Sequence, residues 1–358
     1  MLKVLLGVAA ALSLTAASGA QDAVEAGSAP ADGGWAVVLH GGAGVIERGD
    51  MDEETEAAYR AALDSALRLA GTILADGGSA LDAVEAATRE LEDDPKFNAG
   101  RGAVFTSEGA NELDASIMRG SDLQGGAVAS VTSVRHPISL ARAIMEDNPH
   151  VMLMGEGAER FASEQELEFV DPAFFFTERR WASMLRRNAE RGMAAPPRPD
   201  GAPEAEPIEE GALDLMEREH AFGTVGVVAL DMSGEVVAGT STGGTTAKRW
   251  GRVGDSPILG AGNYAAGECG VSATGTGEYF IRRAVASRIC MLIDIGGLDA
   301  QAAADQVVMD ELVEMGGGGG IVMLDGMEPV WSFNTAGMYR AAWTSETEPV
   351  VAIYKDEG

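Results

Sequence analysis

In HAFGTVGVVALD, residues 220–231, a hydroxyl residue, Thr224, directly follows Gly223. The position lies where an acidic, proline-rich stretch gives way to an apolar run. In mid-chain, threonine is a poor nucleophile because nothing nearby takes its proton. At a chain N-terminus its own α-amine can act as the base. Such an amine has a pKa of about 7.7–8.0, near working pH. A chain that cut itself between Gly223 and Thr224 would create that arrangement, and a glycine eases strained backbone at the cut. On this junction alone, a Gly-Thr pair that simply opens a strand is the stronger reading. Further hydroxyl and charged residues cluster downstream, in GTSTGGTTAKRWGRVGD from Gly239 and ATGTGEYFIRRA from Ala273. Arg252 and Asp255 in RVGD lie three apart around Gly254, on one side of a turn. Taken alone, they read as a surface ion pair.

These residues need a scaffold. WAVVL, residues 35–39, reads as a buried strand running into the glycine-rich loop HGGAG. A helix is expected over 52–75, with Ala58, Ala61, Ala62, Ser65 and Leu69 on its apolar face. Ser79 can cap a second helix over 80–92 through Leu81, Val84 and Leu91. GAVF, LDASIM, VASVTSV and VMLMG are strand candidates, and 137–147 is a helix with proline at its start. GEGAERFASEQE follows as a helix. From about 171 to 222 the proline, glutamate and alanine content reads as a disordered linker. TVGVVALD and EVVAGTST then form a hairpin around Met232-Ser233-Gly234. Helices near 278–295 and 299–315 and the strands IVMLDG, PVWSFN and VVAIY complete the chain. Groups of strands alternating with helix pairs suggest sheets covered by helices, in an α/β or α+β domain.

Composition narrows the chemistry. The 358 residues include 56 acidic and 26 basic side chains, a net charge of −30. That field repels phosphate backbones and argues against nucleic-acid partners. Residues 1–20 carry one lysine, an apolar run and small residues ending at Ala20, the pattern of a cleaved export signal. Residues 21–34 follow as a flexible leader, so the protein is expected to be periplasmic or secreted. Cys269 and Cys290 are too few for a disulfide framework and read as small packing residues, with a single bridge left open. His40, His136, His150 and His220 show no metal-ligand spacing, and no zinc site is expected.

In order along the chain, LHGGAG, NAGRGAVF, GTVGVVALD, the GTSTGG…GRVGDSP stretch and ATGTGE closely resemble the plant-type L-asparaginase/isoaspartyl peptidase family of N-terminal-nucleophile hydrolases. The resemblance runs from Trp35 to the C-terminus, apart from the linker. It implies an α+β fold, a four-layer αββα sandwich matured by self-cleavage between Gly223 and Thr224. The α subunit would then be 35–223 and the β subunit 224–358, both in one domain, with αβ units paired as a dimer.

The resemblance also implies roles. Thr224 is self-cleavage residue and nucleophile, Thr242 hydrogen-bonds to it, and Asn98 supports it. Thr274 and Gly275 form the oxyanion hole. Arg252 and Asp255, with Val253 and Gly254 between them, grip the α-carboxylate and α-ammonium of an amino-acid substrate, beside Thr276 and Gly277. No cofactor is needed for catalysis. A structural sodium is implied on the backbone carbonyls of Leu91, Glu92, Asp94, Phe97, Ala99 and Arg101. Phe222, Ala247 and Asn263 depart from common family residues and leave substrate preference open. The expected activity is hydrolysis of β-aspartyl dipeptides and L-asparagine through a Thr224 acyl-enzyme. A glycosylasparaginase, which usually has Asp before its nucleophile where Gly223 stands here, is the alternative enzyme; an uncleaved, exported amino-acid-binding protein is the non-enzymatic one.

Overall fold

Continuous apolar runs such as AVVL and VGVVAL are what strands covered on both faces require. In the computed structural model, which describes residues 33–44, 46–49, 51–204 and 223–357, they are central strands. The expected export signal, most of the leader, His220 and Phe222 lie outside the described residues. An eight-stranded sheet has the order β12-β11-β1-β5-β6-β2-β3-β4. Its strands are β1 (Ala36–Gly44), β2 (Leu113–Arg119), β3 (Gly125–Val131), β4 (Met152–Met154), β5 (Val225–Leu230), β6 (Val236–Thr242), β11 (Gly337–Thr344) and β12 (Val350–Tyr354). A four-stranded sheet, β10-β9-β8-β7, is built from β7 (Asn263–Ala266), β8 (Cys269–Gly275), β9 (Gly319–Asp325) and β10 (Glu328–Phe333). Successive strand residues point to opposite faces. Val37, Leu39, Leu113, Ile117, Val227 and Val237 therefore share one core with helices α1 (Glu53–Ala75), α2 (Ala80–Asp93) and α3 (Pro137–Asp147). The alternate residues Val38, Met118, Val228, Leu230, Val236 and Ala238 meet Ala265, Val322 and Leu324 of the smaller sheet in a second core. Val271, Ala273, Ile321 and Met323 turn to a third core, beneath the helices that follow β8.

The helix starts follow their caps. Asp52 accepts from Thr55 N at 2.7 Å and Ser79 from Asp82 N at 3.1 Å. In α1 the buried stripe differs from the expected one. Tyr59, Leu63, Leu67 and Leu74 face the core, and Ala58, Ala61, Ser65 and Leu69 face solvent, because the larger apolar side chains gain more from burial. α4 (Gly155–Glu164) is the expected helix in GEGAERFASE.

The expected linker is a partial misreading. Within it, Pro172–Phe175 forms a 3-10 turn and α5 (Glu178–Glu190) a helix. Trp181 and Phe176 pack edge-on to Phe105 at ring-centre distances of 5.2 and 5.4 Å, and Arg180 donates to Gly102 O at 2.8 Å. The amphipathic stretch ERRWASMLRRNAE is masked in composition by its proline-rich neighbours. GAVF is likewise no strand: Gly100–Gly102 is a 3-10 turn and Phe105 joins that aromatic cluster. The expected helix 278–295 is two, α6 (Gly277–Arg283) and α7 (Val285–Asp294), separated at Ala284 with φ of 53°. The helix expected over 299–315 starts as α8 (Ala300–Asp305), then passes through a π-helical turn, Gln306–Glu311. Strands β7, β8 and β11 were not anticipated.

Cys269 on β8 and Cys290 on α7 form a disulfide with Cα atoms 5.7 Å apart. The plain packing reading of both is therefore corrected, and the bridge left open is present. It closes a loop of 21 residues' separation that holds the whole TGTG segment. Restricting the unfolded chain over such a loop stabilises by roughly 3 kcal/mol. Reduction, or Cys290→Ala, is expected to lower the thermal midpoint by several degrees in a calorimetric scan. Among the described residues, no helix is long and apolar enough to cross a membrane.

Candidate active site

Along the layer between the sheets, the inward-facing residues change character. On β5, Leu230 and Val228 lead to Gly226 and Thr224; on β6, Val236 and Ala238 lead to Thr240 and Thr242. On β2, Met118 leads to Ser116 and Asp114. One end of the layer is thus apolar and the other is lined by buried hydroxyls and charges. The smaller sheet matches this gradient. A Cβ on Gly270 would meet Val228 at 2.6 Å, and one on Gly226 would meet Ser272 Oγ at 1.8 Å. As β8 runs from 270 to 272, β5 runs from 228 to 226. Two residues further on, the same alternation leads to Thr274 on β8 and back to Thr224 at the start of β5.

At that polar end the Gly223–Thr224 peptide is held from several sides. Thr224 Oγ1 donates to Thr242 Oγ1 at 3.1 Å, and Thr242 Oγ1 donates to Gly223 O at 3.0 Å. Asn98 Nδ2 donates to the same carbonyl at 2.6 Å and to Gly244 O at 2.8 Å. Val104 N donates to Asn98 Oδ1 at 2.9 Å, which fixes the amide orientation. Two donors on one carbonyl oxygen are what a developing negative charge there needs. A Cβ on Gly223 would lie 2.6 Å from Asn98 Cβ, so a larger residue would displace this donor. Beside the peptide, Gly41, Gly42, Phe97, Asn98, Gly223 and Tyr339 help line a cavity of about 20 Å³, enough for one water molecule.

A second constellation adjoins it. Arg252 donates through Nε and Nη2 to Glu278 at 3.0 and 3.1 Å. The Cβ position of Gly277 is 2.7 Å from Asp255 Oδ1 and 3.0 Å from Arg252 Nη2, so an anion and a cation converge where glycine leaves room. Gly254 lies under the guanidinium, its Cβ position 2.8 Å from Nη1. Burial pushes the Asp255 carboxyl up to about 7; its own backbone N–H and Arg252 oppose this, and Glu278 and Asp114 add to it. Its Oδ2 has no hydrogen-bond partner among the described residues. A cationic ligand group needs Asp255 ionised. Capture of such a ligand is therefore expected to weaken about tenfold per pH unit below 7 and to level off above it. Ligand affinity measured across pH 5–8 checks this; a flat profile would contradict it.

The expected site residues thus fall into two adjoining groups: Asn98, Gly223, Thr224, Thr242, Thr274 and Gly275, and Arg252, Gly254, Asp255 and Gly277. Gly244 joins them, donating to Thr242 Oγ1 at 3.0 Å and accepting from Asn98. Gly275 has no room for a side chain, with Phe280 2.3 Å from its Cβ position. Val253 contributes backbone between Arg252 and Gly254. Thr276 sits at the N-cap position of α6 without a side-chain capping bond. Two of the residues that depart from common family ones have packing and hydrogen-bonding roles. Ala247 packs into the Phe105–Trp181 cluster, and Asn263 donates to Ser116 Oγ at 3.0 Å on the inner face.

Sequence reasoning missed His40, Ser272, Asp114 and Lys248. His40 Nε2 and Ser272 Oγ are 3.0 Å apart. Burial holds the imidazole down at about 3, so it stays neutral beside the Thr224 backbone. Asp114 pairs with Thr242 across β2 and β6, and burial raises its carboxyl. The available signal was the period-two run of polar residues (Asp114 and Ser116, Thr240 and Thr242, Ser272 and Thr274) within otherwise apolar strands.

The chain is similar to known proteins over most of its length. The family model described as Asparaginase matches residues 33–353. The chain is 44% identical over 324 residues to the isoaspartyl peptidase of Escherichia coli strain K12, covering 90% of this chain and 97% of that protein. It is 44% identical over 322 residues to the isoaspartyl peptidase of Salmonella typhimurium, covering 89% and 98%. It is 41% identical over 276 residues to the plant-type L-asparaginase of Thermococcus kodakarensis, covering 76% and 84%. With a family match spanning nearly the whole described chain and relatives this similar over most of their own length, the chain belongs to the asparaginase family.

Proposed function

We propose that the protein is a self-processing threonine hydrolase acting on β-aspartyl dipeptides and L-asparagine. The observation that carries this is the hydrogen-bond chain from Thr224 through Thr242 to the Gly223 carbonyl, with Asn98 as a second donor. In the first reaction, Thr224 Oγ attacks the Gly223 carbonyl carbon and the oxygen's new charge rests on Asn98 and Thr242. The Oγ proton passes to the nitrogen as the Gly223–Thr224 C–N bond breaks, so the nitrogen leaves as the neutral α-amine and an ester joins Gly223 to Thr224 Oγ. Water hydrolyses that ester, leaving Thr224 as an N-terminus.

In the second reaction, the freed α-amine takes the Thr224 hydroxyl proton and Oγ attacks the substrate's side-chain carbonyl. Thr274 and Gly275 receive the oxyanion. The amine proton passes to the leaving ammonia or amino acid, and water then deacylates the enzyme. Arg252 takes the α-carboxylate and Asp255 the α-ammonium, so the Asp255 titration falls directly on kcat/KM. The paired sheets, with helices packed on their outer faces, support the four-layer αββα sandwich. The loop from Leu91 to Arg101 closes on itself, Gly100 approaching the Glu92 carbonyl so closely that a Cβ would lie 2.3 Å away. Such a cradle fits a structural sodium on the carbonyls of Leu91, Glu92, Asp94, Phe97, Ala99 and Arg101. Export by residues 1–20 and pairing of αβ units into a dimer complete the proposal.

The test is turnover of L-asparagine and β-Asp-Leu by one preparation, run beside a denaturing gel. Two fragments meeting at 223/224 with hydrolysis of either substrate are expected. One uncut band that binds but does not hydrolyse these ligands would support the binding protein. Turnover confined to a glycosylated asparagine would support the glycosylasparaginase.

A further inference from the structure

Lys248 lies beside the amino-acid clamp and has no part in the chemistry above. Its side chain is 1% exposed, yet among the described residues its ammonium makes one hydrogen bond, to Glu112 O at 2.9 Å. Glu112 Oε2 and Asp114 Oδ2 lie 3.7 and 3.9 Å from it, beyond hydrogen-bonding range, and both oxygens lack hydrogen-bond partners. An ammonium has three donors, and burying it with donors unused is costly. The position of those donors matters. Gly244, with φ of +82°, has a Cβ position 3.3 Å from Lys248 Nζ and 3.4 Å from Arg252 Nη1. Two cationic nitrogens therefore converge on one point within about 7 Å of each other. Glu278 already occupies the Nε and Nη2 edge of Arg252, so Nη1 is the end left for a ligand.

We propose that Lys248 is a specificity-determining residue that, together with Arg252 Nη1, receives the α-carboxylate of the substrate, with Asp114 as the residue that positions it. The inference rests on the amino-acid substrate class proposed above and adds a second cation to it. A carboxylate has two oxygens, and two convergent cations give each a charged donor. The protein's net charge of −30 makes a local pair of cations the more necessary for drawing in a carboxylate. Asp114 pairs across the sheet with Thr242, so the same strand face ties the clamp to the nucleophile.

The test compares L-asparagine with L-asparaginamide, in which the α-carboxylate is an uncharged amide. Wild-type, Lys248→Met and Lys248→Arg enzymes are assayed for kcat and KM on both, after gels confirm self-cleavage. Lys248→Met is expected to lower the preference for L-asparagine at least about tenfold, through KM. Lys248→Arg, which keeps the charge, is expected to hold the preference within a few-fold. Product inhibition by L-aspartate relative to its α-amide reads the same ratio independently of turnover. If Lys248→Met weakens both substrates equally, or leaves the ratio unchanged, Lys248 is only a structural pin and the proposal falls. Should Lys248→Met fail to mature, Asp114→Asn is read in the same way, and an unchanged ratio there overturns the proposal. Absence of wild-type turnover would overturn the functional reading and this inference with it; wild-type turnover with an unaltered ratio overturns this inference alone.

Discussion

Thr224→Ala yields a single uncut polypeptide with no measurable hydrolysis, a loss on the order of 10⁴-fold or more. Both reactions proposed above use the same oxygen, so one substitution removes both. The alanine also breaks the hydrogen-bond chain to Thr242, but it leaves the Asn98 and Thr242 donors on the Gly223 carbonyl in place. The precursor should therefore fold normally and bind L-aspartate at the Arg252–Asp255 clamp. A denaturing gel read alongside ligand affinity separates loss of chemistry from loss of fold. Thr224→Ser is the informative companion. It keeps the oxygen and the amine and is expected to cleave and turn over, more slowly for want of the methyl group that restricts its rotamer.

Asn98→Ala is expected to slow self-cleavage by about 10²–10³-fold, the usual effect of losing one donor to a developing oxyanion. The carbonyl of Gly223 loses its 2.6 Å partner, and Val104 N loses its acceptor. Asn98→Asp separates these effects, because it keeps an acceptor for Val104 while turning an oxygen toward Gly223 O. Both variants should accumulate full-length chain in a time course of purified precursor. Rapid processing in both would mean that Thr242 alone supports the charge. Of the two positions, Asn98 is the one that ties the cut to the loop after α2, since it lies between Phe97 and Ala99.

How much of this the sequence disclosed depends on where the physical signal resides. β1 and β5 were legible because strands covered on both faces are rich in continuous apolar runs, and β6 followed as the second arm of the hairpin around Met232-Ser233-Gly234. The Ser79 cap and Pro137 at the first helical position marked helix starts through short-range chemistry. β8 and β11 were obscured for the opposite reason. Their runs CGVSATG and GMYRAAWT mix glycine, hydroxyl and charged residues, because their inner faces line the polar end of the layer and the close approach of the two sheets. The helix α5 was lost to averaging, since its buried Trp181, Met184 and Asn188 are spread among arginines.

The site divides in the same way. Motifs resembling a known family supplied Thr224, Thr242, Asn98, Thr274, Gly275, Arg252 and Asp255, and the fold gathers them into two neighbouring groups. His40, Asp114 and Lys248 came only from three-dimensional packing. His40 comes from the first described strand and reaches Ser272, 232 residues later. Lys248 and Asp114 are 134 positions apart. His40 and Lys248 have no local periodicity to betray them, and Asp114 has only the short period-two polar run that it shares with Ser116. The disulfide belongs with them, because two cysteines alone do not reveal whether their Cα atoms lie within bonding reach.

N-terminal sequencing of protein that is hydrolysing L-asparagine is the most direct test. The account predicts a chain beginning Thr-Val-Gly-Val-Val at position 224, in amounts that track activity as the precursor matures. Active material in which every chain runs uncut through Gly223–Thr224 would contradict it.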